Sequence, residues 1–362
     1  MSSVETSPDP VQTPSSSSSS AEPRTSYEYV EGWGMAVGAH GRVFRPRSVD
    51  EILAAYAAAR ADGCTIGPRG TGCSYGDASV NAGGHTLDIT AMNRLLEWDP
   101  ETGIADVEAG FTIEQLWKHV VPDGYWPTVV SGTMFPTLAG AASMNIHGKN
   151  NFRVGTIGDC ILDFDIVLPN GELRTCSRER DTDLFHAAIG GMGMLGTFSR
   201  VKLRTKRVYS GDLEVKGIST RDLREMMDWF EAHETTSDYL VGWIDCFGTD
   251  GELGRGLIHD ARYLEPGEDP NPEESLKISH QILPGHILGF PKDQVWRILR
   301  VLRLLPRDAG IRLMNAVKYT MGRIEGMKPA YRQSHAGFAF LLDYVPNWKW
   351  AYGRHDKTGL IQ

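Results

Sequence analysis

The chain has 362 residues, 41% of them hydrophobic and 23% charged, and a formal net charge of −9. That length supports two domains with sizeable cores, and the acidic balance argues against a general nucleic-acid binder, which carries a basic face. The cysteines Cys64, Cys73, Cys160, Cys176 and Cys246 are widely spaced with no C-x-x-C. This is a pattern of free thiols in a reducing compartment, so a cytoplasmic location is expected.

The N-terminus shows no basic segment followed by an apolar one, so no secretory signal is expected. Nor is there an apolar run of the roughly 18 residues that a membrane-spanning helix needs. Residues 1–26 include a run of serines and almost no large apolar side chains, the composition of a disordered tail.

From Tyr27 to Arg207 strand and helix patterns alternate. Val43–Arg45 reads as a strand, and Ser48 to Glu51 as a capping box opening an alanine-rich helix that Gly63 closes. The strand Thr65–Gly67 then delivers the chain into PRGTGCSYGD, residues 68–77. Glycines at 70, 72 and 76 let main-chain N–H groups converge on an anion, with Arg69, Thr71 and Ser74 as further donors. The order places this loop at a strand's carboxyl end, where α/β folds bind ligands. No Gly-Lys-Ser/Thr follows, so it is not a P-loop.

Strands at Thr86–Ile89 and Ile104–Ala109 come next, then a capping box from Thr112 to Gln115 with a helix to about Val121. Residues 131–151, SGTMFPTLAGAASMNIHGKNN, contain a run of small residues at 139–143 that permits close approach of main chain to a ligand. Ile161–Leu168 and Glu172–Cys176 read as a hairpin across Asn170-Gly171. Thr182–Ile189 reads as a short helix and Ser199–Leu203 as a strand.

A second α+β region follows Arg207. It starts with a strand at Leu213–Val215, a helix from Thr220 to about His233 and a strand near Leu240–Cys246. Glu265–Glu274 reads as an exposed acidic loop. Gln294–Leu305 forms an amphipathic pattern with Arg297, Arg300, Arg303 and Arg307 on one side. From Pro291 to Arg332 ten Lys/Arg oppose three Asp/Glu. Such a helix either packs its apolar side on the second domain or rests on an anionic membrane surface.

The loop 68–77, with segment 131–150 about sixty residues later, resembles flavoproteins of the vanillyl-alcohol oxidase superfamily, the PCMH-type FAD-binding proteins. Within it, GWG at 32–34, RGTGCSYGD, SGT at 131–133, IHGKN at 146–150, Ile189–Gly196, VGWID at 241–245, Leu253-Gly254-Arg255 and Ala351-Tyr352-Gly353 are similar to the decaprenylphosphoryl-β-D-ribose 2-oxidases. The resemblance implies an α+β chain: a two-subdomain FAD-binding domain over 27–207, then a substrate domain over 208–362 that is incomplete at its C-terminus. It implies FAD contacts from Arg69, Gly70, Thr71, Gly72, Cys73, Ser74, Tyr75, Gly76, Asp77, Gly132, Thr137, Leu138, Gly140, His147, Gly148, Asn150 and Phe198. The pocket at the flavin face is expected from Tyr75, Gly132, His147, Lys149, Trp243, Leu342 and Gln362.

The chemistry implied is oxidation of a secondary alcohol, the ribose 2-hydroxyl of a polyprenylphosphoryl ribose. His147 is the expected proton acceptor, Lys149 polarises the hydroxyl or anchors a phosphate, and Tyr75 completes the catalytic set. A short-chain NAD(P)H reductase is the expected partner, and peripheral membrane contact suits a lipid-linked substrate. Cys73 stands where sugar-lactone and alditol oxidases carry a flavin-linking histidine, which implies non-covalent FAD. Two other readings remain: a lactone- or alditol-type oxidase or other FAD-linked oxidoreductase of the same superfamily, and a flavin-binding fragment without catalysis.

Overall fold

The computed structural model describes residues 23–248, 253–287, 289–305 and 309–352. The serine run, Arg307 and Gln362 lie outside them. Helices and strands are intermixed as an α+β fold, organised by three sheets of four or more strands.

The first sheet is mixed. Arg24–Glu31 pairs antiparallel with Gly38–Arg45, which runs parallel to His85–Asp88, itself parallel to Ile66–Arg69. The expected tail to residue 26 is thus too long by three residues, because Arg24 already pairs with Arg45. The crossover helix Val49–Ala61 starts where Ser48 accepts from the Glu51 N–H, and Gly63 ends it in the left-handed region (φ 64°). Glu51 does not complete the box; its carboxylate accepts from the Arg47 N–H instead.

The second sheet is antiparallel, in the order Leu95–Asp99, Ile104–Glu108, Thr197–Arg204, Ile161–Val167, Leu173–Ser177. Its last hairpin differs from the expected two-residue turn. Val167 pairs with Leu173, the Gly171 N–H donates to Leu168 O, and only Gly171 takes a positive φ, 92°. Pro169 fixes the first turn position, so the loop is a three-residue type I turn with a left-handed glycine.

Between these sheets lies the main core. Helix Ile113–Val120, held by the full Thr112–Gln115 capping box, buries Ile113, Leu116 and Trp117 there. Trp126, Phe164, Phe185, Phe198 and Phe340 join them. Each such side chain contributes roughly 1.5–3 kcal/mol by leaving water. The buried Tyr56 hydroxyl, 2.8 Å from Thr197 Oγ1, ties the crossover helix to the second sheet.

The third sheet is antiparallel, in the order Tyr239–Ile244, Gly256–Tyr263, Asp212–Thr220, Tyr331–Ser334. Helix Leu223–His233 packs on one face, where a Cβ on Gly242 would meet Met226 Sδ at 2.9 Å. Helix Ala309–Gly326 lies on the other, with the Tyr319 hydroxyl bonded to Thr220 O. The wholly buried helix His335–Ala339 joins the two regions: Phe338 packs in the third sheet's core, Ala336 and Ala339 in the main one. All five cysteines are unpaired.

Candidate cofactor and active site

A cleft of about 690 Å³ opens where the chain leaves the carboxyl end of strand Ile66–Arg69. One wall is the loop Pro68–Ser79; the opposite wall comes from residues 131–147, and Met192, Gly193 and Gly196–Phe198 close the far side. The two walls touch. Thr71 Oγ1 donates to Phe135 O at 2.8 Å, and a Cβ on Gly70 would lie 2.3 Å from Thr137 Oγ1. Glycine at 70 is therefore a requirement of close approach, not of a positive φ.

The loop's donors are available. Among the described residues no main-chain N–H from Gly70 to Ser79 has a protein acceptor, whereas Ser74 O and Asp77 O accept from Trp33 and Val80. Such a run of outward N–H groups, with little Cβ obstruction, suits an anion as large as a diphosphate. Arg69 plays a different part from the one expected. Its guanidinium turns inward, donating to Ser79 O, Ser79 Oγ and Glu31 O at 2.9–3.0 Å. It braces the loop from beneath and leaves the anion to the main chain.

The second wall is fixed from the third-sheet region. Asp343 accepts from Thr133 Oγ1 at 2.7 Å and from the Met134 N–H at 2.9 Å, and the Leu342 N–H donates to Gly132 O. Burial pushes the Asp343 carboxyl up, against the pull of those two hydrogen bonds. Leu342 lines the cleft as expected. Asp343 had no legible signal, since its partners lie some 210 residues away. Met192, in the left-handed region at φ 52°, also lines the cleft and was not anticipated.

Of the expected cofactor residues, Arg69 to Asp77, Gly132, Thr137, Gly140, His147 and Phe198 line this cleft. Leu138, Gly148 and Asn150 do not. Leu138 is buried behind the wall, and Asn150 is buried with Nδ2 donating to Thr128 O. Tyr75 and His147 both reach the cleft, where Tyr75 packs against Trp33 with Trp348 beyond. His147 is exposed and its Nδ1 lies 3.4 Å from Gly148 O.

Two expected pocket residues stand elsewhere. Lys149 does not line the cleft; its ammonium donates to Ala339 O, and its own carbonyl accepts from the Leu240 N–H. Burial pushes that amine down to about 8, with Asp343 opposing. Trp243 lies on the third sheet beneath Lys318, outside the cleft lining. Burial pushes the Cys73 thiol up, with the Thr71 hydroxyl opposing, so the thiol stays protonated near neutral pH.

Residues 41–177 match the FAD binding domain family. The chain is 32% identical over 66% of its length to the decaprenylphosphoryl-beta-D-ribose oxidase of Mycolicibacterium smegmatis, covering 53% of that protein. It is 31% identical over 56% of its length to cytokinin dehydrogenase 7 of Oryza sativa subsp. japonica, covering 41%, and 29% identical over 55% to D-arabinono-1,4-lactone oxidase of Yarrowia lipolytica, covering 38%. The chain thus spans about half the length of the curated relatives it matches. The glycine loop, its acceptor-free N–H groups and the facing wall all lie inside the segment that is similar to the FAD binding domain family.

Proposed function

We propose that this chain belongs to an FAD-dependent oxidoreductase that oxidises a secondary alcohol of a sugar, the 2-hydroxyl of a polyprenylphosphoryl-β-D-ribose. The product ketone would pass to a short-chain NAD(P)H reductase, completing an epimerisation in the supply of cell-wall precursors. The observation that carries this reading is one cleft with an acceptor-free N–H loop on one wall and His147 on the other. The similarity to the mycobacterial oxidase supports the substrate class. We divide the chain at 207/208 into a cofactor and a substrate domain, with residues 339–343 of the second reaching back over the first.

The diphosphate of FAD would rest on the N–H groups of residues 70–77, with Gly132, Thr137, Gly140 and Phe198 shaping the flavin's bed. Bound FAD supplies acceptance of hydride from the alcohol carbon. His147 takes the hydroxyl proton. The carbonyl of Gly148 can only accept, so Nδ1 carries hydrogen and Nε2 is the basic nitrogen. Tyr75 stays protonated, since burial pushes its phenol up, and donates to the substrate. Leu342, seated on Gly132, keeps water from that wall. Lys149 acts by holding Ala339 in place.

The cofactor is held without a covalent bond: Cys73 occupies the linking position, and its protonated thiol is a poor nucleophile. An absorption spectrum before and after acid precipitation tests both points. Yellow protein that yields a yellow supernatant is expected. Protein that stays colourless with added FAD would overturn the cofactor assignment, and colour kept in the pellet would overturn the non-covalent one. Dye reduction with farnesylphosphoryl ribose tests the substrate.

We place the protein at the membrane surface through its basic helices. Among the described residues no helix is long and apolar enough to cross a membrane. Helix Val295–Arg303 does not bury its apolar side as a packed helix would: Val301 is 65% exposed, and Leu304 just beyond is 77% exposed. Leu313, Val317, Met321 and Ile324 on the next helix are also exposed. Salt-sensitive binding to anionic vesicles is expected; no binding at low salt would end this placement.

A further inference from the structure

Two non-glycine residues of the cleft lining lie in the left-handed region, Asn145 at φ 44° and Met192 at φ 52°. That conformation strains any residue with a Cβ. Asparagine offsets it with a short polar side chain, and Asn145 Oδ1 accepts from the Gly158 N–H at 3.1 Å. Met192 carries no amide or carboxylate to do the same. Glycine would take this φ freely, as Gly193 does beside it at 74°.

The turn around Met192 is required by the walls it joins. The Gly190 N–H donates to Ala142 O at 3.0 Å and the Met192 N–H to Ser143 O at 2.9 Å, which seats the turn on the facing wall. On its other side a Cβ on Gly193 would lie 2.7 Å from Pro68 Cγ, at the root of the glycine loop. The main chain at 192 is thus fixed from both walls, while its side chain lines the cleft and is 55% exposed. Met144, the residue after Ser143, lines the same cleft and is also exposed. Met92 and Met134, by contrast, are buried in the main core, whereas Met192 packs in neither core. A strain that glycine would relieve, borne by a side chain outside the core, indicates a side chain kept for a ligand.

We infer that Met192 is a clamp residue for the bound dinucleotide, laying its thioether on a planar ring of FAD. The N–H groups of the glycine loop recognise charge alone, and a ring needs an apolar partner. A thioether is polarizable and turns about several bonds, so it settles on the face or edge of an aromatic ring. The inference rests on the FAD reading of this cleft. It goes beyond that reading by giving a ring contact to a residue outside the expected cofactor set.

Isothermal titration of the flavin-free full chain with FAD and with FMN, beside thermal midpoints without ligand, tests it. Met192→Gly should keep or raise the ligand-free midpoint, because the strain at φ 52° is relieved. The same variant should bind FAD about tenfold more weakly, through loss of the ring contact and the apolar cover around it. Met192→Leu keeps the apolar volume and should bind within about threefold of the parent. An equal loss with FMN places the clamp on the flavin ring; a loss confined to FAD places it on the adenine, and both support the clamp. Undiminished FAD binding by Met192→Gly overturns it. So does a lowered ligand-free midpoint, which would make Met192 a structural residue. A parent chain that takes up no FAD sinks the cofactor reading and the clamp together, whereas failure of the clamp alone leaves the parent binding FAD.

Discussion

Lys149 and Ala339, 190 residues apart, are joined by a hydrogen bond from a buried ammonium to the last carbonyl of a buried helix. A cation at a helix C-terminus complements the partial negative charge there. The same helix end leads directly into Leu342 and Asp343, which hold the SGT wall of the cleft.

Lys149 gives a pH signature. Its folded pKa of about 8 lies below the ordinary 10.5, so between those values the unfolded chain binds more protons and stability rises with pH. Below pH 8 the full burial penalty, roughly 3 kcal/mol, is present. Lys149→Met should remove this alkaline rise and leave stability at pH 7 equal or higher, despite the lost hydrogen bond. Urea midpoints at pH 7, 8.5 and 10 check it; a parent protein with no rise over that range contradicts it.

His335 supplies the acid counterpart. It is fully buried, stacked on Trp126, with Nε2 3.0 Å from Ser210 O and no partner for Nδ1. Burial pushes its pKa down to about 4. The unfolded chain therefore binds an extra proton between about pH 6.5 and 4, and stability falls by about 3 kcal/mol as pH drops through that window. His335→Gln should flatten that part of the profile, read by thermal midpoints at pH 7 and 4.5.

Glycine substitutions in the cofactor loop should divide sharply. Gly70→Ala drives a methyl into Thr137 and separates the two walls, costing about 1–3 kcal/mol as an overpacked contact and lowering FAD retention at least about tenfold. Gly76→Ala meets nothing within 4 Å and should keep FAD. Flavin absorbance after desalting reads both; equal retention would mean the walls yield freely.

Arg200 bridges three carboxylates of the second sheet, 2.8 Å from Asp106 and from Asp165 and bonded to Asp163. Arg200→Met leaves those charges facing one another and should cost about 3–5 kcal/mol. Adding Asp165→Asn should restore part of that loss, because one repelling charge is gone. Denaturation midpoints of both variants, and of Asp165→Asn alone, decide the point.

Local signals read well from the chain: the Thr112 capping box, the glycine that ends the first helix, and the loop at 68–77 facing segment 131–147. Where a side chain points was less legible. Arg69 sits in an anion loop yet bonds inward, and Lys149 stands two residues from His147 yet serves a different element. Both outcomes depend on carbonyls contributed from far along the chain. Asn170-Gly171 carried a strong two-residue turn signal, but Pro169 claimed the first turn position and shifted the loop by one residue.

The tip of the cofactor loop is also where the two ends of the described chain meet. The Trp33 N–H donates to Ser74 O, the Trp348 ring packs tilted against Trp33, and Lys349 Nζ donates to Trp33 O. A Cβ on Gly32 would lie 2.5 Å from Gly76 O, so the early segment fits against the loop without slack. The loop's stiffness is thus a long-range property, set by residues about 40 positions before it and more than 270 after it. Cutting or tagging near residue 32 or 348 would be felt first as a looser grip on the cofactor, before any loss of the sheets themselves.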